Sequence, residues 1–80
     1  MVKAFVMMNL TSTEYMGLTK TVVDEASKIP GVTKAHAIFG RYDVIVEVEV
    51  KGLSELTSLV HDKLRVISGV VSTETFICYV

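Results

Sequence analysis

Cysteine is nearly absent from this 80-residue chain, Cys78 being the only one. No internal disulfide can staple the fold, and no cysteine pair stands at metal-ligand spacing. Histidine is as sparse: His36 and His61 lie 25 positions apart, so a metal centre has no support and no cofactor is implied. Charge of one sign is also lacking. Eight Lys and Arg face nine Asp and Glu, for a net charge of −1. That balance argues against a direct nucleic-acid partner, which requires a basic face. No apolar run is long enough for a membrane span. The N-terminus lacks a signal-peptide layout, since Lys3 opens a short mixed strand with no cleavage-type site. A lone thiol fits the reducing cytoplasm.

Apolar residues are what the chain has in abundance. They make up 50% of it, and the mean hydropathy is +0.48. Residues 1–80 are enough for one domain. A domain of this size buries only about 60–65% of its unfolded surface. Its interior lacks the volume for so much apolar side chain, so the excess is expected to face other copies of the chain.

A repeat sets the expected fold. Ile29-Pro30-Gly31-Val32 returns 38 residues later as Ile67-Ser68-Gly69-Val70, and Val22 and Ala26 map onto Val60 and Leu64 at the same shift. Each unit reads strand, helix, Ile-x-Gly-Val, strand. Two such units predict an α+β, ferredoxin-like βαββαβ sandwich, with a four-stranded antiparallel sheet and two helices on one face. The first strand is predicted over Val2 to Asn9, and the first helix from Ser12 or Thr13 to Lys28. Thr11-x-x-Glu14 offers a capping box, Met16, Thr19, Val22 or Val23, Ala26 and Ile29 recur at helical spacing, and Pro30-Gly31 ends the helix. The second strand spans Thr33 to Phe39 and the third Asp43 to Val50. In the third, Val44, Val46, Val48 and Val50 alternate with Ile45, Glu47 and Glu49. Gly52 precedes a second helix with Leu53, Leu56, Val60, Leu64 and Ile67 on one stripe and Glu55 in its first turn. The last strand is predicted over Val70 to Val80. In the first strand Phe5 and Met7 alternate with Val6 and Met8, which is apolar on both faces. The face without helices is therefore expected to pair with another subunit.

Gly40-Arg41-Tyr42-Asp43 sits between two of these strands and has a tight-turn composition. It offers backbone N–H groups and one carboxylate at a sheet end. Ser72-Thr73-Glu74-Thr75 opens the last strand with a run of donors and acceptors. Together they suit a small zwitterion, whose ammonium needs a carboxylate and whose carboxylate needs N–H donors. A plain turn followed by a polar edge strand accounts for the same residues.

Ile29-Pro30-Gly31-Val32, Gly40-Arg41-Tyr42-Asp43 and Ile67-Ser68-Gly69-Val70-Val71-Ser72-Thr73-Glu74-Thr75, with a strand opening Ala-Phe-Val, resemble the effector-binding domain of the Lrp/AsnC family. These are the feast/famine transcription regulators, and the domain is also called RAM. The resemblance runs from Ala4 to Ile77. Family regulators carry a helix-turn-helix domain ahead of this region, whereas this chain begins at the first strand, like a stand-alone effector domain. The resemblance implies an amino-acid-binding regulatory module, not an enzyme, with its pocket where two dimers meet. Its expected partners are a free amino acid, further copies of itself assembling from dimer to higher oligomer, and full-length Lrp/AsnC regulators.

The implied ligand residues are Gly40, Arg41, Tyr42, Asp43, Ser72, Thr73 and Thr75. Asp43 would hold the ammonium, or only close the turn. Tyr42 would wall the ligand or pack at a dimer seam. Arg41 reads better as solvated, since the resemblance gives the carboxylate to backbone N–H groups around Gly40. Thr73 and Thr75 share one strand face, with Ser72 and Glu74 on the other. They close the pocket from a neighbouring subunit or act as ordinary cross-strand β-formers. Cys78 reads as a small buried hydrophobe, His61 as a surface residue, and Glu47 with Glu49 as a charged rim. The alternative function is a small dimeric ferredoxin-like enzyme of the monooxygenase type, but the sequence offers no Ser/His/Asp or Cys/His set. A phosphate loop with Arg is missing from Met8-Asn9-Leu10-Thr11, and base-stacking aromatics are missing from the sheet.

Overall fold

The computed structural model describes residues 1–11 and 16–79. The predicted capping box at Thr11 and Glu14 and the start of the first helix reach outside these residues, as does Val80.

Strand β1 spans Val2–Leu10, helix α1 Met16–Ser27, β2 Val32–Ala37 and β3 Val44–Val50. Helix α2 spans Leu53–Ser58 and runs directly into a π-helical segment, Leu59–Leu64, before β4 at Val70–Ile77. The sheet order is β2-β3-β1-β4, and every neighbouring pair is antiparallel. This is the expected ferredoxin-like α+β architecture.

The alternation read from the sequence sets the two faces. Ala4, Val6 and Met8 of β1 lie opposite Val48, Val46 and Val44 of β3, and all six are fully buried. They meet Val22 and Ala26 of α1, and Leu56, Leu59, Leu64 and Ile67 of the second helical stretch. No polar or charged residue is buried among the described residues. Phe5, Met7 and Ile45 point the other way and are half-buried, while Phe76, directly across from Phe5, is 49% exposed. No described helix covers that face.

The repeat extends to hydrogen bonds. Val32 N–H donates to Ile29 O at 3.0 Å, and Val70 N–H to Ile67 O at 3.1 Å. Gly31 O then accepts from Glu49 N–H at 2.8 Å, and Gly69 O from Thr11 N–H at 2.9 Å. Glu49 and Thr11 are themselves 38 residues apart. Gly31 and Gly69 have φ of +101° and +99°, which side-chain-bearing residues rarely adopt. Each also lies under a leucine of the opposite helical stretch, Leu59 above Gly31 and Leu18 above Gly69.

Several boundaries differ from expectation. The second helix is not uniformly α-helical. In an α-helix, Leu59 and Leu64 would point about 140° apart. The wider π turn, marked by Arg65 N–H donating to Val60 O at 3.0 Å, leaves them 5% and 0% exposed. Leu59 thus joins the core stripe, whereas Leu53 is 59% exposed. In α1, Val22 rather than Val23 is fully buried. β2 ends at Ala37, and Phe39 beyond it stands free in solvent. β4 ends at Ile77. Glu55 does serve the α2 start, accepting from Lys51 N–H at 3.2 Å.

Candidate functional site

β1 ends, β3 begins and β4 begins at one end of the sheet, and Gly40–Asp43 closes over it. Asp43 is tied in three ways. Its N–H donates to Met8 O at 2.9 Å, its carbonyl accepts from Ile38 N–H at 3.0 Å, and Oδ2 accepts from Leu10 N–H at 2.8 Å. One carboxylate oxygen therefore acts structurally, tying the start of β3 to β1 rather than closing its own turn, and Oδ1 has no partner among the described residues. Gly40 has φ +139° with nothing within 4 Å of a built Cβ. The N–H groups of Gly40, Arg41 and Tyr42 find no acceptor among the described residues. Arg41 is exposed.

Tyr42 reaches across β1 on the uncovered face, and its phenol donates to Glu74 Oε1 on β4. The Glu74 carboxylate, as acceptor, holds the phenol above the usual tyrosine range. Partial burial and the Glu74 charge act in the same direction, and Arg41 opposes them. Ser72 lies beside this contact, its Oγ accepting weakly from Asn9 Nδ2 at 3.5 Å. Further along the face, Lys3 Nζ pairs with Glu47 Oε2 at 3.0 Å. The hydrogen bond and charge of Glu47 hold the Lys3 ammonium above its ordinary range.

The structure thus divides the expected ligand residues. Gly40, Tyr42, Asp43 and Ser72 gather at one sheet end, with Tyr42 and Ser72 toward the uncovered face. Thr73 and Thr75 do not join them within the subunit. They pair with Met8 and Val6 of the core-facing row, so they point to the helical side. There they line a groove between β4 and the second helical stretch, with His61 and Arg65 on its far wall. Sequence reasoning missed Glu74 as the partner of Tyr42, because nothing local relates positions 32 apart. It also missed Arg65, although Thr57, His61 and Arg65 recur every fourth residue.

Among the described residues, the remaining titratable groups assemble no catalytic set. Glu47 is spent on Lys3, and Glu49 is exposed on the rim. Cys78 is half-buried rather than a core residue, and its N–H donates to Lys3 O at 2.8 Å. No group of three or more His, Cys, Asp or Glu is clustered for a metal among the described residues. No described helix is long and apolar enough to cross a membrane.

Residues 3–79 match the Lrp/AsnC ligand binding domain, and the chain belongs to that family. An uncharacterised HTH-type transcriptional regulator of Pyrococcus furiosus is 38% identical over 65 residues, 80% of this chain. The chain spans only 43% of that regulator's length. Among solved structures, a hypothetical protein from Pyrococcus horikoshii superposes with a TM-score of 0.86 at 29% identity, covering 100% of this chain and 92% of that one. A transcriptional regulator of Neisseria meningitidis in complex with L-Met shares the fold at a TM-score of 0.82 and 16% identity, covering 98% of this chain and 49% of that one.

Proposed function

We propose that this domain is a cytoplasmic amino-acid sensor that works between subunits and acts on Lrp/AsnC-type transcription regulators rather than on DNA directly. The observation that carries the reading is the turn end itself. It leaves one carboxylate oxygen of Asp43 and the N–H groups of the three residues before it without hydrogen-bond partners among the described residues. A zwitterion satisfies both kinds of group. The complex of the Neisseria regulator with L-Met supports an amino acid as the ligand class. In this arrangement the turn holds the ammonium at Asp43 and the carboxylate at the N–H groups near Gly40. Ser72, Thr73 and Thr75 of a neighbouring subunit close the pocket.

Dimerisation uses the uncovered sheet face, where Phe5, Met7, Ile45 and Phe76 form an apolar patch crossed by the Lys3–Glu47 pair. Burying those side chains is the drive, and dimers assemble further to bring turn and strand together. The enzyme alternative draws no support from the site, because no serine, threonine or cysteine among the described residues donates to a carboxylate or imidazole.

Calorimetric titration of the twenty amino acids into wild type and Asp43→Asn tests the sensor reading. The Asn variant is preferable to Ala, because it keeps a carbonyl oxygen for Leu10 N–H. Loss of the charge-assisted contact should weaken binding by roughly 1.5–3 kcal/mol, ten- to a hundredfold. Equal affinity in both proteins removes Asp43 as the anchor. No binding of any amino acid by wild type removes the sensor function.

A further inference from the structure

The groove beside β4 has a chemistry that the amino-acid site does not use. Its volume is about 440 Å³, within the range of about 300–1,000 Å³ common for small-molecule sites. Leu53, Leu56, Val60 and Ile77 supply apolar walls, and Leu53 and Ile77 are 59% and 50% exposed with no described residue covering them. Thr57, Thr73 and Thr75 set three hydroxyls around these walls. Thr57 donates to Leu53 O at 3.0 Å, which leaves its oxygen an acceptor. Arg65 is the charged residue of the lining, His61 adds an imidazole, and no Asp or Glu is among them.

The acidic residues of the same helical stretch lie elsewhere. Glu55 and Asp62 line a different cleft, with Ile29, Pro30 and Lys63. The carboxylates of the helical stretch thus lie away from β4, with Lys63 beside them, while Arg65 lines the groove. Arg65 has no salt-bridge partner among the described residues. The π segment contributes Val60 and His61 directly to the wall. Such segments occur frequently at ligand sites, because the wider turn re-aims side chains that an α-helix would place elsewhere.

The geometry points to a binding site, within one subunit, for a small monocarboxylate with a branched or linear apolar tail and no ammonium group. The carboxylate meets Arg65 and His61, with the hydroxyls of Thr73 and Thr75 as additional donors. The tail lies on Leu53, Leu56, Val60 and Ile77. A free amino acid fits less well, since its ammonium would enter a groove that holds the Arg65 guanidinium and no carboxylate. This inference goes beyond the amino-acid reading and shares with it only Thr73 and Thr75.

The test is amide-resolved NMR titration of the full chain with three matched probes: 4-methylpentanoate, its primary amide 4-methylpentanamide, and leucine. The expected result is that 4-methylpentanoate shifts the amides of Thr57, His61, Thr73 and Thr75, while the uncharged amide binds at least tenfold more weakly. Leucine leaves the amides of Thr57 and His61, which the amino-acid site does not use, unmoved at the same concentration. Arg65→Gln, at an exposed position, should weaken 4-methylpentanoate about tenfold, the lower end expected for a charge-assisted contact at a solvent-accessible rim, and His61→Gln combined with it should weaken it further. Unchanged spectra showing that both variants remain folded accompany the measurement.

Carboxylate and amide binding alike, or full affinity in the double variant, overturns the proposal. So does leucine binding in the groove as tightly as 4-methylpentanoate. Failure of the amino-acid reading has a different signature, namely no amino acid shifting Gly40–Asp43 while 4-methylpentanoate still binds the groove.

Discussion

Replacing Gly31 by alanine isolates how tightly the two halves of the repeat are joined. A Cβ built there lies 2.7 Å from Leu59 Cδ1, 3.2 Å from Val50 Cγ1 and 3.9 Å from Glu49 O. Two costs arise. Holding alanine at φ +101° costs about 1–2 kcal/mol. Making room for the methyl adds an overpacking cost of about 1–3 kcal/mol, because Leu59 and Val50 are only 5% and 3% exposed and have nowhere to retreat. The total is about 2–5 kcal/mol, against a whole-domain stability of roughly 4–12 kcal/mol for a chain of this length. Two further glycines act as controls. At Gly69 the three atoms nearest a Cβ all belong to the Leu18 side chain, the first at 2.8 Å. Leu18 is half-buried and can swing outward, so Gly69→Ala should carry the backbone cost at φ +99° with little packing cost added, about 1–3 kcal/mol in all. At Gly40 there is nothing within 4 Å, so Gly40→Ala should carry the backbone cost alone, about 1–2 kcal/mol. Urea denaturation followed by circular dichroism ranks the three, at one fixed protein concentration because association shifts the midpoint. If Gly31→Ala and Gly40→Ala agree within about 0.5 kcal/mol, which is finer than either cost, the Leu59 contact contributes nothing and the packing argument is wrong.

Removing the Leu64 side chain by Leu64→Ala opens a void at a fully buried position and should cost about 2–5 kcal/mol in the same denaturation assay. A loss below 1 kcal/mol would show that the π turn relaxes into the space. Phe76→Glu places a charge on the uncovered apolar face and should shift sedimentation toward monomer at micromolar concentration; an unchanged assembly would locate the interface elsewhere. Tyr42 is the residue for a pH experiment. Its phenol is held above the usual tyrosine range, so the neutral form is the one stabilised. That contribution is complete below the ordinary tyrosine value of about 10 and is lost as pH rises through the higher folded-state value. Alkaline absorbance titration should show one late tyrosine that disappears in Tyr42→Phe and moves earlier in Glu74→Gln; identical curves for Glu74→Gln and wild type would contradict the contact.

Much of the fold was legible because it is written in short periods. The Val44–Val50 alternation gave the buried face of β3, and the Ile-x-Gly-Val repeat located both helix ends and the glycines that make them. The π turn was not legible, because Leu56, Leu64 and Ile67 also satisfy an ordinary α-helical stripe. Only the burial of Leu59 reveals the extra residue in the turn. At the site, turn composition marked Gly40–Asp43, but what Asp43 touches depends on strand register, and Leu10 is 33 residues away in the chain. The opposite facing of Ser72 and Thr73 was readable from strand alternation. Which of them faces the helices required knowing their partners on β1. Arg65 was overlooked because a lone surface arginine has no signature until an edge strand is placed beside it.

The hydrogen bond from Cys78 to Lys3 places the two ends of the fold side by side. They lie at the pole of the sheet opposite Gly40–Asp43, because β1 runs from Val2, paired with Val50, to Leu10, held by Asp43. A chain attached at either end would therefore leave from the same pole and keep clear of the turn. The domain is laid out like a plug, with both ends at one pole, so a segment joined at either end could be exchanged without altering the Gly40–Asp43 turn at the other.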